Sequence, residues 1–132
     1  MAGARGKSMA EGPSDSELEI FFQEEEAAWP IFQAIRLAAS DAGVGLRIGK
    51  SQTAFARRIA FAWVWVPRRY LRGKRPPIVL TVGLRRRDNS PRWKHVVEPY
   101  PGRFVHHMEL RSPEDIGDEL RILLAEARSL AG

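Results

Sequence analysis

The side chains best suited to chemistry in this sequence are basic and aromatic, and they fall together in the middle of the chain. Arg57, Arg58, Arg68, Arg69, Arg72, Lys74 and Arg75 flank an apolar run at 59–66, and Arg85, Arg86, Arg87, Arg92 and Lys94 follow the next run. Trp63, Trp65, Tyr70, Trp93 and Tyr100 are interleaved with them. Guanidinium groups hold phosphate in a two-pronged fork, and aromatic faces stack on bases. The pattern points to an anionic ligand, either nucleic acid or a phosphorylated small molecule. Lys50, Arg58, Arg69, Arg85, Arg87, Arg92 and Lys94 are the expected charged contacts. Tyr70, Trp93 and Tyr100 are the expected stacking groups, with Ser90 and His106 or His107 as polar contacts. A plainer reading competes: Trp63 and Trp65 fill the core, and consecutive arginines make a solvated turn.

Other chemistries fit less well. Gly43-Val44-Gly45-Leu46-Arg47-Ile48-Gly49-Lys50-Ser51 superficially follows a phosphate loop. That motif requires glycine where Val44 stands, and a strand before it with a helix after it. Here a helix precedes and strands follow. The dinucleotide pattern Gly-x-Gly-x-x-Gly fails at Ile48. The histidines are His95, His106 and His107. Neighbours on a strand point to opposite faces, so His106 and His107 do not ligate one ion together. With no cysteine, a four-ligand structural zinc site lacks its usual donors, and no metal or other cofactor is expected. Disulfides and thiol nucleophiles are excluded. Acid–base work has little to draw on, since 47–111 hold only Asp88, Glu98 and Glu109 as acids. An enzyme built on Ser90, His106 or His107 and Arg92 is therefore the third-ranked reading, with no catalytic residue assigned.

The 132 residues carry a net charge of +5, which is unevenly spread. Residues 1–46 have 3 basic and 8 acidic side chains, 47–111 have 16 and 3, and 112–132 have 2 and 5. A cationic middle between acidic ends attracts anions, unless the acidic helices neutralise the basic strands within the fold. No apolar run is long enough to span a bilayer, and no apolar segment follows Arg5 and Lys7 as a secretory signal would require. No membrane association and a cytoplasmic location are expected.

The elements follow from periodicity. Residues 1–13 lack apolar pattern and read as a disordered tail, leaving 14–132 as one domain. Ser14, Asp15 or Ser16 caps a helix over 15–25. Pro30 suits the first turn of a second helix at 28–42, with Gly43 as its stop. The period then becomes two. One strand spans the region from Val44 to Phe55, and 59–66 form a strand apolar on both faces, as expected of a covered one. Residues 68–77 make a basic hairpin loop, and 78–84 and 103–111 are two more strands. Ser90-Pro91 predicts a single helical turn over 92–97. Ser112 and Pro113 start a final helix with a stripe of Ile116, Leu120, Leu123, Ala127 and Leu130.

Several strings carry a family resemblance: Lys50-Ser51-Gln52-Thr53-Ala54-Phe55, Phe61-Ala62-Trp63-Val64-Trp65-Val66-Pro67, and Gly83-Leu84 followed by Ser90-Pro91-Arg92. Glu98-Pro99-Tyr100-Pro101-Gly102-Arg103-Phe104 and His106-His107 continue it. From about residue 17 to 130 the chain resembles a small bacterial domain family of unknown function, some of whose members carry the label "predicted transport protein". The resemblance implies a stand-alone or C-terminal domain and supplies no activity. The transport label sits poorly with a chain lacking a membrane segment.

The sequence thus predicts an α+β domain: a four-stranded antiparallel meander with two N-terminal helical segments and a C-terminal helix on one face. Its leading function is a non-catalytic module binding an anionic ligand. The alternative is a protein-interaction or homodimerisation module that uses a sheet face left open by the helices.

Overall fold

The structure is a computed structural model that describes residues 12–67 and 75–132. Helix α1 spans Asp15–Phe22 and α2 spans Ala28–Ala39. Strands follow at Gly45–Ile48 (β1), Gln52–Ala56 (β2), Ala60–Trp65 (β3), Ile78–Leu84 (β4), His95–Tyr100 (β5) and Arg103–Leu110 (β6). A 3-10 turn at Pro113–Asp115 leads to α3, Asp118–Leu130. The class is α+β as expected, but the sheet has six strands in the order β1-β2-β3-β4-β6-β5, not four.

Both extra strands have local causes. The stretch from Val44 to Phe55 is a hairpin rather than one strand. Gly49 donates its N–H to the Gln52 carbonyl at 2.7 Å, so the glycine-lysine-serine string is a turn between β1 and β2. At the other edge, residues 92–97 do not form a helical turn. Ser90 Oγ accepts the Arg92 N–H at 3.3 Å, which caps one bend at Pro91 and Arg92, and the chain then pairs with β6 as β5. Pro99 is tolerated because β5 is an edge strand with irregular pairing between Val97 and Tyr100. The sheet is also not a pure meander, because the connection from β4 passes beyond β6 to reach β5.

The helices begin and end for identifiable reasons. Ser14 is the cap of α1: its Oγ accepts the Glu17 N–H at 3.2 Å, and Glu17 Oε1 accepts the Ser14 N–H at 2.8 Å. This reciprocal pair satisfies two donors that the helix leaves open. Gly43, at φ +82°, reverses the chain after α2. At the C-terminal end, Ser112 and Pro113 open only the 3-10 turn. Asp115 Oδ2 accepts the N–H groups of Arg111 at 2.8 Å and Ser112 at 3.3 Å, and extended Gly117 starts α3 afresh. Arg128 on α3 donates to the Ala38 and Ala39 carbonyls at 3.3 and 3.2 Å, fastening α3 to the open end of α2.

The helices α2 and α3 pack against β3 and β4 on one face of the sheet. Val64 pairs with Leu80, which pairs with Met108; Ala62 pairs with Val82, which pairs with His106. These residues are buried beneath the helices together with Phe32, Ile35, Leu123 and Leu124. Phe22, Phe32, Phe55 and Phe61 form a run of rings with centroids 4.6, 6.0 and 6.5 Å apart. Each fully buried ring contributes about 1.5–3 kcal/mol of hydrophobic stabilisation.

Strict alternation puts Phe61 on the same face as Trp63 and Trp65. The structure separates them. Phe55 pairs with Ala62 but Ala56 pairs with Ala60, so Phe61 is the extra residue of a β-bulge. Phe61 is 1% exposed and joins the core. Trp63 and Trp65 stay on the opposite face, which no helix among the described residues covers. The expectation that both tryptophans fill the core is therefore corrected.

Candidate functional site

The connection at 85–94 is organised around one carboxylate. Asp88 Oδ2 accepts the Trp93 indole N–H at 2.7 Å and the Ser90 N–H at 3.2 Å, and Oδ1 meets Arg86 Nη1 at 3.3 Å. Burial pushes the Asp88 carboxyl up, but these donors outweigh it and hold it below its usual value. Arg86 also forks onto Glu126 of α3 at 3.0 and 2.8 Å. That hydrogen bonding raises the guanidinium further.

His106 completes the knot. It is wholly buried on the helix side. Its Nε2 accepts the Asp88 N–H at 2.9 Å, so the ring proton lies on Nδ1, which donates to the Val82 carbonyl at 3.3 Å. Burial lowers its pKa, so the ring is neutral at pH 7. The Trp93 ring lies 4.9 Å away and is itself buried. Both His106 and Trp93 are thus committed to internal contacts.

The open face has different contents. One row across five strands reads Ala54, Trp63, Thr81, His107, His95. Trp65 and Val79 pair beside it. A cleft of about 550 Å³ lies over these strands, lined by Ser51, Gln52, Trp63, Trp65, Thr81, Pro99, Tyr100, Arg103, Val105 and His107. A smaller hollow of about 280 Å³ shares Trp65 and His107 and extends to Lys94, His95 and Glu109. Thr81 Oγ1 and His107 Nδ1 are 2.9 Å apart. Burial, with the neighbouring His95 and His106, lowers the His107 pKa.

Among the described residues Arg103 is the one permanent cation lining the cleft. Its guanidinium lies 5.8 Å from the centre of the Trp63 ring. It crosses Gly83 so closely that a Cβ there would sit 2.8 Å from Nη2 and 2.9 Å from Cζ. No carboxylate pairs with Arg103 among the described residues. The bulge that buries Phe61 and the missing side chain at Gly83 together clear the floor on which the guanidinium rests.

The sequence-derived candidates separate accordingly. Tyr100 and His107 line the cleft, and Lys94 lines the adjoining hollow while pairing with Glu109 at 3.2 Å. Ser90, Trp93 and His106 belong to the Asp88 knot. Arg92 reaches the Asp115 carbonyl at 2.7 Å, and Arg87 lies 5.7 Å from the Phe104 ring. Arg85, Arg58 and Lys50 are exposed on turns. Arg69 and Tyr70 lie outside the described residues. Sequence reasoning missed Arg103, Thr81 and Gln52. The period-two pattern of β6 was the available signal, since it sets Arg103 on the face of Val105 and His107.

Part of the basic excess is neutralised inside the fold, as Glu126 takes Arg86, and Asp41 lies 3.6 Å from both Arg57 and Arg128. Among the described residues no three acidic, histidine or cysteine side chains converge as a metal site. No helix there is long and apolar enough to cross a membrane.

No match appeared among curated proteins or among solved structures. The chain belongs to the family described as a domain of unknown function, DUF5655, whose model matches residues 18–131. That description carries no transport activity.

Proposed function

We propose that the domain is a non-catalytic binding module for an anionic ligand, and that the ligand sits on the open sheet face rather than on the basic loops. The observation that carries this reading is Arg103, a cation braced on Trp63 and Gly83 with no carboxylate partner among the described residues. An unspent guanidinium beside aromatic walls favours a ligand with both a negative group and a flat body. Arg85, Arg87 and Lys94 then act at longer range, raising the local concentration of anions.

The test is amide and indole NMR of the full chain titrated with anionic and neutral aromatic compounds. Shifts from the anions at Trp63, Thr81, Arg103 and His107 are expected. Shifts confined to Arg58 and Arg85–Arg87, or none at all, would sink the reading.

A second reading is homodimerisation through the same face. It draws on Val97 and Tyr100, 46% and 62% exposed on edge strand β5, next to the cleft. Sedimentation at twice 14.9 kDa, insensitive to moderate salt, would favour it.

A further inference from the structure

We infer that the open-face cleft is built for a monocarboxylate carried on a flat, unsaturated ring system, with Arg103 as its anchor and Gly83 as the residue that sets the anchor's position. The inference rests on the reading of that face as the binding site and narrows its ligand. Charge counting comes first. Among the described residues Arg103 is the only permanent cation lining the cleft, and no acidic side chain there lines it. His107 adds no charge near neutral pH, because burial and the neighbouring imidazoles hold its pKa down. Lys94, which lines the adjoining hollow, is already paired with Glu109, and Arg47 lies on edge strand β1 outside the cleft lining. One positive charge matches one negative charge. A phosphomonoester near neutral pH carries close to two, with three oxygens to satisfy.

Geometry points the same way. A guanidinium lying across the Gly83 backbone and against an indole is held flat, and a flat fork meets the two coplanar oxygens of a carboxylate. Any side chain at 83 would lift it off the strand, since even a Cβ would fall 2.8 Å from Nη2. The remaining walls suit a ring. Trp63 and Trp65 present indoles two residues apart on one face, with Tyr100 at the rim. The volume of about 550 Å³ lies within the range of small-molecule sites.

The experiment is calorimetry on the full chain with naphthoate, naphthyl phosphate, neutral naphthamide and single-stranded oligothymidylate, with parallel NMR to locate each. Naphthoate is expected to bind in the cleft and naphthamide about tenfold or more weaker, the scale of one charge-assisted fork. Arg103→Lys, which keeps the charge and loses the fork, is expected to cost a similar factor. Gly83→Ala should cost as much. Arg103→Met guards against a folding defect at Gly83, because it keeps the packing and should abolish the preference for naphthoate over naphthamide. Tighter cleft binding of naphthyl phosphate or oligothymidylate overturns the monocarboxylate but leaves an anion site on this face. Equal binding of naphthoate and naphthamide overturns it as well. If no anion reaches the cleft, both readings fall.

Discussion

The 85–94 connection and the open sheet face make opposite uses of charge. The connection is dense in arginine and lysine, yet Arg86 is spent on Glu126 and Asp88, Arg92 on a carbonyl, and Lys94 on Glu109. The open face carries Arg47 on edge strand β1 and Arg103 at the cleft, and Arg103 is held in place with no carboxylate paired to it among the described residues. The difference teaches that a basic stretch reports potential contacts, and the fold decides which of them are already made. Interaction with solvent or a ligand is left to whichever cation lacks an internal partner.

The sharpest way to break this comparison is at Asp88. Replacing it with alanine removes three acceptor contacts and strands the Trp93 indole N–H, so urea denaturation should show a loss of about 2–4 kcal/mol. A loss under about 0.5 kcal/mol would show that the connection is not held as described. Acidification tests both regions, through His106 in the knot and His107 in the cleft. His106 and His107 have pKa values below their ordinary 6.5 when folded, so the unfolded chain binds more protons below pH 6.5. Stability is therefore expected to fall with pH from about 6.5 down to the folded values. Asp88, held below its ordinary 3.8, adds a second loss below that pH. His107→Asn should shallow the first slope; an unchanged slope would remove His107 from the account.

Smaller effects follow at the arginines. Arg86→Ala breaks a half-exposed ion pair, worth about 0.5–1 kcal/mol and reduced by salt. Arg103→Met should change stability by under about 0.5 kcal/mol while removing anion binding on the open face. Thermal melts read beside calorimetry separate the two. A large melting shift for Arg103→Met would mean that this arginine is a structural strut, and the contrast between the regions would collapse.

The helices were legible in the sequence because their signals are local. Ser14 with Glu17, Pro30 in a first turn, and the stripe from Leu120 to Ala127 all act within a few residues, although the start read at Ser112 and Pro113 opens a 3-10 turn and the helix begins at Asp118. The strand count was not legible. A hairpin closed by Gly49 and Gln52 looks like one continuous strand when both arms alternate, and an edge strand containing Pro99 looks irregular. The candidate site was legible only in part. Tyr100 and His107 were found, but His106 and Trp93 went to the interior because their partner, Asp88, lies 18 and 5 residues away. Arg103 went unnoticed because its importance lies in what it lacks, and a missing partner is a property of three dimensions.

The bulge at Phe61 has one more consequence. It gives β3 one position at which its length can change without changing which side chains face the helices. Phe61→Leu keeps an apolar group under the helices. Loss of the Phe61 codon removes the extra residue and leaves Ala60 and Ala62 opposite Ala56 and Phe55. The indoles and Val64 then keep their faces at the cost of one buried ring, whereas loss of a paired residue from 62–65 turns part of the strand over. Deletion scanning across 59–66 should therefore show one position, 61, where shortening by a residue is less damaging than at the paired positions that follow it.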